Sequence, residues 1–201
     1  MTDRALRPPS AAPDAVWPSP GLVRADSDCV SAHDVALDAR LRLIRQLGLV
    51  PGPDPVFDEI AEEMATAARM AYAMVNLFFT EQTFVGLHQP PPGSGYVTVD
   101  RTMSIEHGWC PHVVERRLAL PLPNVHAHPR FSSNIVVDSV GILSYFGAPL
   151  IDPGTGIVIG TVCLIDPEAR SVEDAVRISD ITVASAATVM QTVTGSAPAP
   201  H

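Results

Sequence analysis

The stretch from Ile142 to Asp166, ILSYFGAPLIDPGTGIVIGTVCLID, decides the fold. Two apolar runs flank Asp152-Pro153-Gly154-Thr155-Gly156, a segment built from turn-forming residues. Residues 142–151 are rich in β-branched, aromatic and other apolar side chains, and residues 157–165 resume the run. This is the pattern of a strand–turn–strand hairpin. Few polar side chains interrupt it, so both strands are expected to be central and covered on at least part of both faces. Gly147 and Gly160 fall inside the strand patterns, where a missing side chain permits a bulge or the close approach of another group.

After the hairpin, Ser171 caps a final helix, with Asp174 three residues on, close to a capping box. Val176, Val183 and Met190 recur along it at heptad spacing, and Gly195 ends it. Before the hairpin, residues 1–30 hold Pro8, Pro9, Pro13, Pro18 and Pro20 without apolar periodicity and read as a disordered arm. Order is expected from Ser31, a helix cap, with Leu37, Leu41, Ile44 and Leu47 forming one stripe and Arg40, Arg42 and Arg45 lying off it. Asp54 and Pro55 open a second helix, whose Phe57, Ile60, Met64 and Ala68 face the core while Asp58, Glu59, Glu62 and Glu63 face water.

Residues 74–80 and 83–88 read as a strand pair, and residues 96–99 as a further short strand. Helix is expected after Trp109. Residues 118–125 carry alternating Pro121 and Pro123, which belong on a sheet edge. Residues 126–134 read as a short helix or loop leading into the hairpin. The organisation is an α+β layered domain over residues 31–194, with residues 195–201 as a disordered tail.

Composition narrows the function. With 201 residues, 46% of them hydrophobic, the chain can bury a full core as one domain. A net charge of -9 argues against nucleic acid or an anionic membrane as the main partner. All 13 basic residues are Arg, which excludes a Schiff-base or P-loop lysine. Scarce Lys with abundant Ala, Pro and Val suggests a GC-rich bacterial genome. Cys29, Cys110 and Cys163 are odd in number and widely spaced, which is no disulfide framework and fits a reducing cytosol. There is no signal-peptide pattern and no convincing membrane span, so a soluble cytoplasmic protein is expected.

The richest polar cluster is Glu106-His107 with Cys110 and His112, followed by His126 and His128. Imidazole and thiolate can hold Zn, Cu or haem iron, but neither a paired CxxC nor HExxH is present, so no metal is assigned and the cluster is read as lining a small-molecule pocket. Cys110 opens a helix, where a thiol pKa is lowered, so a redox or adduct-forming role stands beside that of a buried small hydrophobe. Cys163 reads as core. Cys110, His112 and Asp166 could be written as a catalytic set, but no nucleophile elbow accompanies them, and no catalytic residue is assigned.

The runs SYFGAPL (144–150) and IGTVCLID (159–166) with Arg170, preceded by WCPHVV (109–114), LPLPNV (120–125) and HPRFSSN (128–134), resemble the GAF domain family. The resemblance spans roughly residues 57–193 in the family's order. It implies a central antiparallel sheet with helices packed on one face and a loop- and helix-covered pocket on the other. It places Trp109, Cys110, His112, Asn124, His126, His128, Phe131, Tyr145 and Gly147 at that pocket as ligand contacts. Related sequences tend to be acidic where Asn124 and His128 stand, which implies a preference for a neutral or anionic ligand. Pro111, directly after Cys110, stands where bilin-binding relatives place His. The Asn-Lys signature of the cyclic-nucleotide branch is not met, and the sulfoxide-reducing branch needs more cysteines.

The function expected is a non-enzymatic sensory or regulatory module that binds a small ligand of unknown identity. Since no output segment follows Gly195, it would signal through a partner chain. A homodimer through the first and last helices is expected. Two alternatives stay open: a pairing module with a vestigial pocket, and a thiol- or metal-dependent (haem) redox sensor.

Overall fold

A computed structural model describes residues 32–195. The expected arm, the Ser31 cap, Cys29 and residues 196–201 lie outside the described residues. The elements run α1 (Ala32–Gln46), α2 (Pro55–Ala68), β1 (Tyr72–Phe78), β2 (Gln82–His88), β3 (Thr102–Met103), α3 (Cys110–Arg116), β4 (Leu120–Leu122), a 3-10 turn (Val125–Ala127), α4 (Pro129–Ser132), α5 (Ile135–Val140), β5 (Ser144–Ile151), β6 (Val158–Asp166) and α6 (Val172–Gly195). The six strands form one antiparallel sheet in the order β3-β2-β1-β6-β5-β4.

The decisive stretch forms the β5–β6 hairpin, with Asp152 turned inward to accept from the Thr155 amide and hydroxyl, both at 2.7 Å. β6 is buried along its whole length between β1 and β5, and β4, with Pro121, is one edge, Pro123 falling just beyond it. Alternation along the strands builds two cores. Val75, Leu77, Phe146, Leu150, Val162 and Leu164 face α2 and α6, whereas Tyr72, Met74, Tyr145, Cys163 and Ile165 face α3, α5 and the loops between them.

The long helices start and stop on local signals. Asp54 accepts from the Val56 amide at 2.9 Å, Pro55 opens α2, and Arg69 closes it in the left-handed region at φ 56°. Ser171 Oγ accepts from the Asp174 amide at the start of α6. α2 lies so close to β2 that a Cβ at Gly86 would stand 2.2 Å from the Phe57 carbonyl oxygen.

Four sequence expectations change. Residues 96–99 form no strand; side chains take their backbone groups, with Tyr72 Oη donating to Val97 O at 2.8 Å and Val99 N donating to Gln89 Oε1 at 2.9 Å. The strand that extends this edge is β3. α5 intervenes before the hairpin, capped by Asn134 and closed by Gly141 at φ 75°. Asp58 does not simply face water: it accepts from Leu87 N at 2.8 Å and pairs with both terminal nitrogens of Arg101 at 2.9 and 3.0 Å. In α1 the buried residues are Leu43 and Ile44, while Leu37, Leu41 and Leu47 are half-buried. Arg40 turns inward to donate to Val158 O at 2.8 Å and to lie over the Phe78 ring.

Candidate functional site

The cover over the second face is held to the sheet by a buried polar relay. Asn76 lies where the β1–β2 register shifts, Val85 of β2 being the extra residue, and its amide donates to Gln82 Oε1 at 2.9 Å. Gln82 Nε2 in turn donates to the carbonyls of Ser104 and His107, at 2.7 and 2.8 Å. The chain then turns at Gly108, with φ 74°, and Asn134 clamps that turn to the start of α5. Asn134 Oδ1 accepts from the amides of Gly108 and Val136, and its Nδ2 donates to Gly108 O at 2.8 Å. Trp109 follows, fully buried, with its indole N–H donating to Phe131 O at 3.2 Å.

Two spaces result. The inner one is a cavity of about 40 Å³ among Met74, Phe84, Met103, Trp109, Tyr145, Ile165 and both cysteines. That volume accommodates a few water-sized molecules and is far below what a drug-sized ligand needs. The outer one is a solvent-open polar cleft of about 290 Å³, lined by Glu106, His107, His112, Arg130, Phe131, Ser133, Asn134 and Ile135. Trp109 and Phe131 stand between the two.

In the inner cavity, Tyr145 Oη donates to Cys110 Sγ at 3.4 Å. Cys163 lies opposite Gly147 in the β5–β6 register and lines the same cavity as Cys110, with its thiol 3.8 Å from Met74 Sδ. The neighbouring Cys163 thiol is the main cause that lowers the Cys110 thiol to about 7, against burial, with Thr161, Tyr145 and Asn76 adding to it. The lowering comes from these side chains rather than from the helix start that the sequence suggested. The same contact and burial push Cys163 well up, and burial, with the two sulfurs beside it, raises Tyr145.

The site residues expected from the sequence therefore separate. Trp109, Cys110 and Tyr145 meet at the inner cavity, and His112 and Phe131 line the cleft, their rings 5.4 Å apart edge to face. Asn124 is exposed and caps the 3-10 turn by accepting from His126 N at 3.0 Å; His126 is exposed. His128 is exposed and touches the site only through Phe131, at 6.3 Å between ring centres. The group that lies against Gly147 is the phenol of Tyr145, since a Cβ there would stand 2.1 Å from Tyr145 Oη. Arg130 lies over the Phe131 ring at 5.7 Å, and no carboxylate lies within ion-pair distance of it among the described residues. Asp166, written into the possible catalytic set, is held by Arg170 at 2.6 Å and by the Ala71 and Glu168 amides.

Sequence reasoning missed Asn76, Gln82, Asn134, Thr161 and the placement of Cys163. Polar residues inside otherwise apolar strands were the available signal for Asn76 and Thr161. Among the described residues no group of three or more His, Cys, Asp or Glu could hold a metal ion, and no helix is long and apolar enough to cross a membrane.

The chain matches the family model of the GAF domain over residues 52–191. Similar solved structures include the GAF domain of an Acinetobacter phosphoenolpyruvate-protein phosphotransferase, at 15% identity and a TM-score of 0.50 over 83% of this chain and 99% of that one. They also include the blue-light absorbing form of the Thermosynechococcus elongatus PixJ GAF domain, at 8% identity and 0.50 over 77% of this chain and 89% of that one. A third is the free methionine-R-sulfoxide reductase of Neisseria meningitidis in complex with its substrate, at 15% identity and 0.50 over 87% of this chain and 98% of that one. At such identities the likeness is one of fold. No curated protein matches.

Proposed function

The chain belongs to the GAF domain family, and from that premise we propose that it is a non-enzymatic sensory or regulatory module whose ligand occupies the outer cleft. The observation that carries this reading is the cleft's make-up. About 290 Å³ of open space sits among two imidazoles, a guanidinium, a carboxylate, an amide, a hydroxyl and a phenyl edge. Pockets for small molecules combine space of this order with a few convergent polar groups around an apolar surface. Arg130, with no carboxylate paired to it among the described residues, suits a small molecule bearing one anionic group, and Phe131 offers a ring for its apolar part.

The inner cavity is too small for such a molecule, so the ligand would rest against Trp109 and Phe131 rather than reach the sheet. Occupancy of the cleft would bear on Asn134, which holds the Gly108 turn, and through Gln82 on the centre of the sheet. From there the route to a partner is the far face, where α6 exposes Val172, Val176 and Val183 and α1 exposes Val35. A second copy of the chain is the partner proposed. A thermal-shift panel of small carboxylates and phosphates tests the reading. A compound that stabilises the wild type and not Arg130→Ala supports it; a panel that stabilises neither or both equally contradicts it.

A further inference from the structure

The inner cavity holds chemistry that a ligand in the outer cleft does not use. Cys110 and Cys163 stand on different elements, α3 and β6, yet their side chains line the same cavity. Both residues are 3% exposed, and neither is in a disulfide. Close to Cys110 stand two fully buried polar side chains, Asn76 and Thr161, and Asn76 Oδ1 has no hydrogen-bond partner. Orphaned polar atoms of this kind are rare in a packed interior and call for a reason. Tyr145 completes the cluster, its phenol laid over Gly147 so that it donates to Cys110 Sγ.

We propose that Cys110 and Cys163 form a dithiol site that reacts with hydrogen peroxide and closes as an intramolecular disulfide. The cavity of about 40 Å³ admits a molecule of that size and excludes bulky organic hydroperoxides. Cys110, as thiolate, attacks one peroxide oxygen; the S–O bond forms, the O–O bond breaks, and the departing hydroxide takes up the proton that Cys110 gave up. The Cys163 sulfur then attacks the resulting sulfenic sulfur. The S–S bond forms, the S–O bond breaks, and the hydroxyl leaves with the Cys163 proton as a second water. The two sulfurs together lose two electrons, and the peroxide gains them.

Tyr145 is a positioning residue here, since its donated hydrogen bond holds the Cys110 sulfur and favours its charged form. The proposal goes beyond the ligand reading and does not rest on it, because the reaction uses the inner cavity alone.

Peptide mapping of the full chain under non-reducing conditions tests it, in a Cys29→Ser background that removes the third thiol. After hydrogen peroxide, a Cys110–Cys163 cross-linked peptide is expected, reversed by dithiothreitol, and much faster than with cumene hydroperoxide. Cys163→Ala should leave Cys110 as a sulfenic acid that dimedone traps. Tyr145→Phe, which keeps the ring, should slow cross-linking by about tenfold or more, as loss of a hydrogen bond to a charged sulfur predicts. Two free thiols after treatment overturn the proposal, and so does Cys110 over-oxidised beside a reduced Cys163. Equal rates with both hydroperoxides, or an unchanged rate in Tyr145→Phe, also overturn it.

Discussion

Tyr145 and Gly147 share one face of β5, and the phenol of the first fills the space that a side chain on the second would need. That single vacancy is what lets Tyr145 Oη reach Cys110 Sγ at 3.4 Å. Gly147→Val should therefore expel the phenol and overpack the sheet at a cost of about 1–3 kcal/mol. Chemical denaturation measures the loss. A variant as stable as the wild type would show that the ring can move aside freely.

The same contact has a pH signature. Cys110 is lowered from an ordinary thiol value of 9.0 to about 7, first by Cys163. Between those two values the unfolded chain binds a proton at this thiol that the folded chain does not, so stability rises with pH across roughly 7 to 9. The contribution is lost as pH falls through about 7. Above 9.0 the raised Cys163 and Tyr145 act in the opposite sense, and stability falls again. Denaturation midpoints followed from pH 6 to 10 should show this rise, and Cys110→Ala should flatten it.

Gln82 carries the cover loop, since its amide group meets two carbonyls at once. Gln82→Met keeps the volume and leaves both the Ser104 and His107 carbonyls and the Asn76 amide without that partner. The expected cost is about 2–4 kcal/mol, from buried polar groups left unpaired. Hydrogen exchange should also quicken from Ser104 to Trp109 while β6 stays protected. Uniformly faster exchange would mean that the relay supports the whole fold rather than its cover.

How far the sequence went follows from which signals are local. The β5–β6 hairpin was legible because its apolar runs and its Pro/Gly turn lie within one short stretch, and the caps at Asp54 and Ser171 are equally local. α5 was hidden by its own Ile135-Val136-Val137, β-branched residues that favour strands; an Asn cap and a Gly stop hold it as a helix. Tyr96 to Val99 has a strand's composition, but the Gln89 and Tyr72 side chains claim its backbone. At the site, Trp109, Cys110 and Tyr145 could be placed from their motifs. The contact between Cys110 and Cys163 depends on how α3 settles on β6, and no spacing records that.

The first and last helices bear on assembly. Leu43 and Ile44 of α1 pack into their own domain, so removing α1 would damage the core as well as any interface. Of the heptad residues on α6, Met190 is buried, whereas Val176 and Val183 are 62% and 51% exposed. Val176→Glu with Val183→Glu is therefore the cleaner test of pairing. Sedimentation at tens of micromolar should show a dimer for the wild type and a folded monomer for the double variant. A wild-type monomer would remove the homodimer from the account.

The central claim, that the outer cleft takes a small ligand, is met most directly by a native mass spectrum of the freshly purified full chain beside its Arg130→Ala variant. The account predicts that the wild type carries an added small mass, released on unfolding, and that the variant has lost it while keeping the wild-type fold. A wild-type spectrum at the bare chain mass, with no adduct under the gentlest ionisation, would contradict it.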